Sequence, residues 1–256
     1  MVSTDGIMRS ELVAYLNEYL QIESFLASDS SLNGLVVGGE DKKIGKIGYA
    51  VDACQASFDQ AAREKVDFLL VHHGLFWGAP LAVTGFHYMR LATLIKHDIN
   101  LYAAHLPLDA HPEIGNNIQI AKALGLEEIE AFSAYKGQTI GYKGILKEPK
   151  TLKEIANRLG YEKTVLLPFG KEKIQMVGIV SGGASRNISD ALSDGLDLYI
   201  TGEVEHESYH VALEGGINVL GGGHYVTEIY GVRALAEHLR ERFGLEAVFI
   251  ANPTGL

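Results

Sequence analysis

Apolar residues recur along this chain with two alternating periods. Between positions 8 and 20, Leu12, Val13, Leu16 and Leu20 fall at helical spacing, which predicts an amphipathic first helix. Short apolar runs then predict strands near 34–39 and 46–52, the second leading through Asp52 into a helix at about 53–65. The run Phe68-Leu69-Leu70-Val71 predicts a buried strand at 68–72. A loop bearing Gly and Pro follows, then a helix at 86–97, a strand at 99–104 and a helix over 114–124 that Gly125 closes. Strands at 138–146, 163–168, 174–181 and 197–201 alternate with helices at 151–159, 187–194 and 204–214. A strand at 217–220, the turn Gly221-Gly222-Gly223, a helix at 226–243 and a strand at 246–250 complete the chain. This alternation predicts an α/β fold with mostly parallel or mixed sheets. Two interleaved α/β units are expected. The first comprises 1–127 plus 216–256 and carries the candidate metal ligands; the second comprises 128–215, with a boundary at Ala134-Tyr135-Lys136-Gly137.

One polar interruption stands out. His72 and His73 end the apolar run at 68–71 and precede Gly74. Successive strand side chains point to opposite faces, so the two rings cannot both fill a core. A histidine leaving the C-terminal end of a strand enters the crevice where open α/β sheets bind ligands.

Composition narrows the function classes. The 256 residues are 47% hydrophobic and carry a net charge of −10, as for a globular protein with a proper core. No Lys/Arg block is present, which argues against an extended nucleic-acid surface. No run reaches the ~18–20 apolar residues of a membrane helix, and Met1-Val2-Ser3-Thr4-Asp5-Gly6 lacks the pattern of a secretory signal. Cys54 is the single cysteine, so an intramolecular disulfide and a thiolate cluster are excluded. A cytoplasmic location is expected.

Two further groups of metal-binding side chains follow predicted strands. They are His105-Leu106-Pro107-Leu108-Asp109 and Gly223-His224-Tyr225-Val226-Thr227-Glu228. In a parallel sheet such strand ends converge on one edge. His224 and Glu228, four apart, share a face if their turn is helical; Pro107 predicts a loop for the other segment. Imidazole and carboxylate suit zinc, manganese, iron, cobalt or nickel. Six candidate donors exceed what one tetrahedral ion takes, so two metals are expected, with Glu228 able to bridge them.

These motifs carry a family resemblance. The chain resembles the Nif-three-like family, whose bacterial members bear the name GTP cyclohydrolase type 2 homologue. The similarity spans nearly the whole length. It rests on the strand into His72-His73-Gly74, on His105-Leu106-Pro107-Leu108-Asp109 with Gly115-Asn116-Asn117, on Thr201-Gly202-Glu203, and on Gly223 to Glu228. The length matches the short bacterial form. The resemblance implies a dinuclear metal site in the cleft between two α/β units, within a ring-shaped homohexamer built as a trimer of dimers. It assigns His72 and Asp109 to one metal, His73 and His224 to the other, and Glu228 as the bridge. His105 matches a histidine beside the pair, either a further ligand or a proton-transfer group. Leu75 stands where many members have proline, a departure that touches the loop and not the ligands.

Two divalent ions would acidify a water near neutral pH. The expected function is therefore a hydrolase acting on a C–N, ester or phosphoester bond of a small molecule, a nucleotide among the candidates, with His105 and Glu228 as catalytic groups. The family name narrows this to opening the imidazole ring of GTP, although no residue here reads guanine. A non-catalytic metal-binding regulator or metal-handling protein is the alternative, and a structural metal in an oligomeric scaffold is a third class. Other residues carry weaker signals. Ser181-Gly182-Gly183-Ala184-Ser185-Arg186 reads as a tight turn with an N-cap before it reads as a phosphate cradle. Glu203, His206 and His210 fit either an approach to the metals or an exposed helix face. Tyr225 could stack on a base or pack, Trp77 could wall the metal cleft or pack, and Cys54 reads as a small buried residue. His87, His97, His111 and His238 read as surface or hydrogen-bonded side chains.

Overall fold

The computed structural model describes residues 6–161 and 164–256. Met1 to Asp5, read above for a signal, and Lys163, expected to start a strand, lie outside the described residues. The first stretch of chain forms β1 (Ile7–Met8), α1 (Arg9–Tyr19), β2 (Gly34–Val37), β3 (Lys43–Ile44), β4 (Lys46–Asp52), α2 (Gln55–Arg63), β5 (Phe68–His73), α3 (Gly85–Lys96), β6 (Asn100–Ala103) and α4 (Leu106–Ala110). Next come α5 (Asn116–Leu124), β7 (Leu126–Tyr135), β8 (Gln138–Lys150), α6 (Leu152–Leu159), β9 (Val165–Pro168), β10 (Ile174–Val180), α7 (Ile188–Ser193), β11 (Leu198–Thr201), α8 (His206–Gly215) and β12 (Asn218–Gly221). The chain closes with α9 (His224–Phe243) and β13 (Glu246–Phe249). No described helix is long and apolar enough to cross a membrane.

The first unit is Met1–Leu108 with Val232–Asn252. Its main sheet has the order β13-β4-β5-β6-β2, parallel throughout except for β2, which runs antiparallel to β6. Phe68, Leu69, Leu70 and Val71 are each at most 2% exposed. That is what a strand covered on both faces requires, and it explains the continuous apolar run. Leu69, Val71, Leu101 and Ala103 pack with Phe58 and Ala61 of α2 and Leu94 of α3.

The second unit is Asp109–Gly231 with Pro253–Leu256. Its sheet has the order β7-β8-β10-β11-β12-β9. The central strands β10, β11 and β12 are parallel, flanked by antiparallel β8 and β9. Val177, Ile179, Leu198, Ile200 and Leu220 pack with Ile120 and Leu124 of α5 and Ile155 and Leu159 of α6. Thr151 and Glu154 form a reciprocal capping box that starts α6, satisfying amides the helix cannot satisfy itself.

Several expectations are corrected. The strand expected at 217–220 in the first unit is β12, hydrogen-bonded between β11 and β9 of the second sheet. The division therefore differs from 1–127 plus 216–256 against 128–215. Asp109, His224 and Glu228 lie in the second unit, so the candidate ligands are not all carried by the first. The segment at 134–137 is no boundary. Lys136 and Gly137, at φ +47° and +85°, form the two-residue turn of the β7–β8 hairpin, which demands positive φ at both positions. Residues 106–110 form helix α4 and not a loop, because proline is tolerated in a first helical turn, where its missing N–H costs nothing.

Candidate metal centre

In the first unit the sheet brings three imidazoles together. β5 and β6 are parallel neighbours, so His72, His73 and His105 all emerge at the same edge. Their nearest nitrogens lie within 4.8 Å of one another. His72 is fully buried and its Nδ1 donates to the Ala104 carbonyl at 2.9 Å. His73 Nδ1 donates to Asp52 Oδ1 at 2.8 Å, a pairing that follows from the β4–β5 register, where Asp52 sits opposite His73. His105 Nδ1 donates to Asp29 Oδ1 at 2.9 Å. Carbonyl and carboxylate oxygens only accept, so each Nδ1 carries a proton and the neutral ring's lone pair is on Nε2. Fixing one nitrogen in this way is how proteins aim the other at a metal.

Asp29 is the best-held carboxylate of this group. Its oxygens accept from Ser31 N, Asn33 Nδ2, Leu106 N and His105 Nδ1. Burial alone would push its carboxyl up. Hydrogen bonds from His105, Asn33 and Ser31, together with the charge of the His105 ring when it is protonated, outweigh burial and hold it at about 2. Trp77 closes one side: its Nε1 donates to Gly74 O, and its ring stands edge-on to His105 with centroids 5.0 Å apart.

The second unit repeats the device with carboxylates. β10, β11 and β12 lead directly into Ser181-Gly182, Gly202-Glu203 and Gly222-Gly223, and α9 begins at His224. Glu228 lies one helical turn on, and its Oε1 is 3.2 Å from His224 Nε2. His224 Nδ1 donates to Glu203 Oε1 at 2.7 Å, so a fourth histidine is anchored like the others. Asp109 Oδ1 accepts from Asn116 Nδ2 at 2.8 Å and Ser181 Oγ at 3.0 Å. Carboxylate oxygens of Asp109 and Glu228 lie within 4.8 Å, at only 7% and 3% residue exposure. Two buried carboxylates this close repel when both are ionised, and a divalent cation relieves that repulsion. The donors of both units thus fit borderline divalent ions.

Gly182 makes this arrangement possible. Its φ is +66°, and a Cβ there would overlap Glu228 Oε1. Its carbonyl accepts from the N–H groups of Gly202 and Glu203, tying two strand ends together. An open cavity of about 760 Å³ lined in part by Gly202, Glu203, Glu205 and Gly223 adjoins His224.

A family model described as Duf34/NIF3 (NGG1p interacting factor 3) matches residues 7–254. The chain belongs to the Duf34/NIF3 family. It is 47% identical over 253 residues to a Deinococcus radiodurans protein named GTP cyclohydrolase 1 type 2 homolog, covering 98% of this chain and 95% of that one. An Archaeoglobus fulgidus protein of the same name is 44% identical over 247 residues, covering 96% and 99%. The crystal structure of a Thermus thermophilus protein matches with a TM-score of 0.89 at 44% identity, covering 98% of this chain and all of that one. The similarity inferred from the histidine and glycine motifs is therefore membership of Duf34/NIF3.

Among the other residues singled out in this Duf34/NIF3 chain, Glu203 joins the site as the anchor of His224. His206 and His210 are exposed on α8 and join neither donor group. The 181–186 turn is structural: the Ser181 and Gly182 amides are taken by Asn117 Oδ1 and Thr227 Oγ1. No side-chain cap starts the helical turns that follow. Tyr225 is buried and His97 exposed. Cys54 is half-buried, its Sγ 3.2 Å from Ser57 Oγ. His87 and His111 are buried, and His238 lies 2.5 Å from Tyr15 Oη. Asp29 as the anchor of His105 was missed, since 76 residues separate them. Asp52 left a usable signal, the end of the strand beside His73.

Proposed function

We propose that this Duf34/NIF3 protein is a hydrolase dependent on two divalent metals, acting on a C–N, ester or phosphoester bond of a small substrate. The observation that carries the reading is the common anchoring of His72, His73, His105 and His224, each committing Nδ1 and aiming Nε2. Such ions supply Lewis acidity, lowering the pKa of coordinated water and polarising the attacked group. Glu228, close to both Asp109 and His224, is suited to bridging. His72 and Asp109 would serve one ion, His73 and His224 the other. His105, backed by ionised Asp29, is placed to hold or pass a proton. Trp77 limits water at the His105 side. The 760 Å³ cavity beside His224 is of ligand size, and the names of the relatives make GTP the first nucleotide to try.

A homo-oligomer, with a hexamer as the family expectation, belongs to this reading. Helix α3 buries His87 and Leu94 yet exposes Phe86, Tyr88, Met89 and Ile95 by more than half. A helix apolar on both sides needs a second covering. Together these side chains expose several hundred Å², on the order of one partner's share of a standard interface. A second copy of the chain is the proposed cover.

The deciding experiment is elemental analysis of fresh protein, followed by a hydrolase panel, GTP included, with the metal found. Two ions per chain and turnover that falls at least a hundredfold in Glu228→Gln support the hydrolase. Metal loading without any accelerated reaction supports the metal-handling alternative instead. Fewer than one ion per chain across preparations removes the dinuclear reading.

A further inference from the structure

Helix α8 opens with His206-Glu207-Ser208-Tyr209-His210, the H-E-x-x-H arrangement in which two histidines on one helical face share a zinc ion and the glutamate acts as base. The metalloprotease reading fails here on geometry. Glu207 Oε1 forms an ion pair with Arg186, 2.9 Å from its Nε, so it is committed away from a reacting water. No third donor gathers with the two histidines among the described residues. Both rings are on open surface. What survives is the chelating pair itself.

We propose that His206 and His210 form a second, surface metal site, a two-histidine chelate for an exchangeable divalent transition ion. The rings lie with centroids 6.3 Å apart. Two imidazoles on one ion, at metal–nitrogen distances of about 2.0–2.1 Å, hold their centroids roughly 5 Å apart. The remaining closure of about 1 Å needs side-chain rotation only, against no more than the edge-on contact of the His210 ring with Tyr209, centroids 5.4 Å apart. The backbone beneath is fixed. Ser208, between the two histidines, is buried, with its Oγ 2.7 Å from Ser185 Oγ, and the Glu205 N–H donates to Ser185 Oγ at 2.8 Å. Spacing is therefore set before any ion arrives. Glu203, Glu205 and Glu207 surround the start of the helix; Arg186 pairs with Glu205 and Glu207, so one cation faces three carboxylates and the local balance stays negative. With two protein nitrogens, the ion keeps positions for water, so it binds more weakly than at a closed four-ligand site. Nitrogen donors rank nickel and copper above manganese and iron.

The site is read with nickel. Untagged full-length protein, stripped with chelator, is titrated with Ni²⁺ by calorimetry. The expected isotherm contains one weak event per chain, weakened at least tenfold in His206→Gln and equally in His210→Gln. His97→Gln, which removes another exposed imidazole, should leave it intact. The same event should raise Tm in the unaltered protein and in His97→Gln only, a readout that needs no enzymatic activity and no occupancy of the buried donors. Isotherms identical across all four proteins overturn the proposal. So does loss in only one of the two α8 variants, which would mark a single-histidine contact.

Discussion

Gly182→Ala separates the candidate site from the fold that carries it. Gly182 has φ +66°, and its added Cβ would overlap Glu228 Oε1 and come within 3.3 Å of His224 Nε2. Gly195 has nearly the same φ, +67°, with nothing within 4 Å of its Cβ position, and so provides a matched control. Placing alanine in the left-handed region costs about 1–2 kcal/mol, which for a chain of this size lowers Tm by roughly 2–8 °C. Both variants should show that loss without metal. Only Gly182→Ala should also displace Glu228, whose flexible end must retreat on the order of 1 Å, a misplacement of the kind that costs about a hundredfold in a working site. The assay is competition against a chromophoric chelator at neutral pH, alongside apo-protein melts. Metal affinity should fall tenfold to a hundredfold in Gly182→Ala and stay unchanged in Gly195→Ala. Unchanged affinity in Gly182→Ala would refute the placement of Glu228 as a ligand. Equal affinity losses in both variants would trace the effect to backbone strain instead.

Further outcomes follow from the same reasoning. Asp52→Asn should weaken metal binding roughly ten- to a hundredfold, as loss of the carboxylate behind a ligating histidine does elsewhere, with little change in apo Tm. Asp197 is buried; burial pushes its carboxyl up, but Lys171 and the Met176 and Gln175 amides outweigh burial and hold it below the usual 3.8. Its contribution to stability is therefore full above that value and disappears as pH falls through the lower folded pKa. Melts of Asp197→Asn should lie below the unaltered protein at pH 7, with the gap closing in acid; a constant gap would contradict the assignment. Met89→Glu should shift light-scattering mass toward the monomer if α3 is covered by a second copy, and an unchanged mass would exclude that face.

Much of this was legible in the sequence because strand ends in parallel sheets are forced to one edge. The tandem His72-His73, the His105 segment and the His224 turn each follow an apolar run, and the structure places each at a strand end of its own unit. Periodicity failed where it is weakest. β7 is mostly exposed, with its apolar residues irregularly spaced and a bulge between Glu127 and Glu130, so no two-residue alternation marks it. Unit membership of β12 depended on pairing partners, which a single apolar run cannot identify. The anchors of the histidines were illegible for another reason. A carboxylate behind a ligand is selected by distance in space, and Asp29 reaches His105 across a loop no local pattern predicts.

The choice of anchor follows the cost of burial. His72 is fully buried and is held by a neutral carbonyl; a carboxylate there would have to be desolvated with few donors to repay it. His73 and His224 take carboxylates that keep contact with water, Asp52 and Glu203 being 31% and 45% exposed at the side chain. Asp29 is the exception at 1%, and it is tolerated because four donors surround it. The two anchors should therefore answer differently to the same substitution. Asn at 52 loses charge yet stays hydrated, so affinity falls and stability holds. Asn at 29 turns one acceptor oxygen into an NH2 group facing donors, leaving a buried group unsatisfied at about 1–3 kcal/mol. Asp29→Asn should thus lower apo Tm as well as metal affinity, while Asp52→Asn lowers affinity alone. Equal apo melts for the two variants would mean that the ring of donors around Asp29 does not decide its burial.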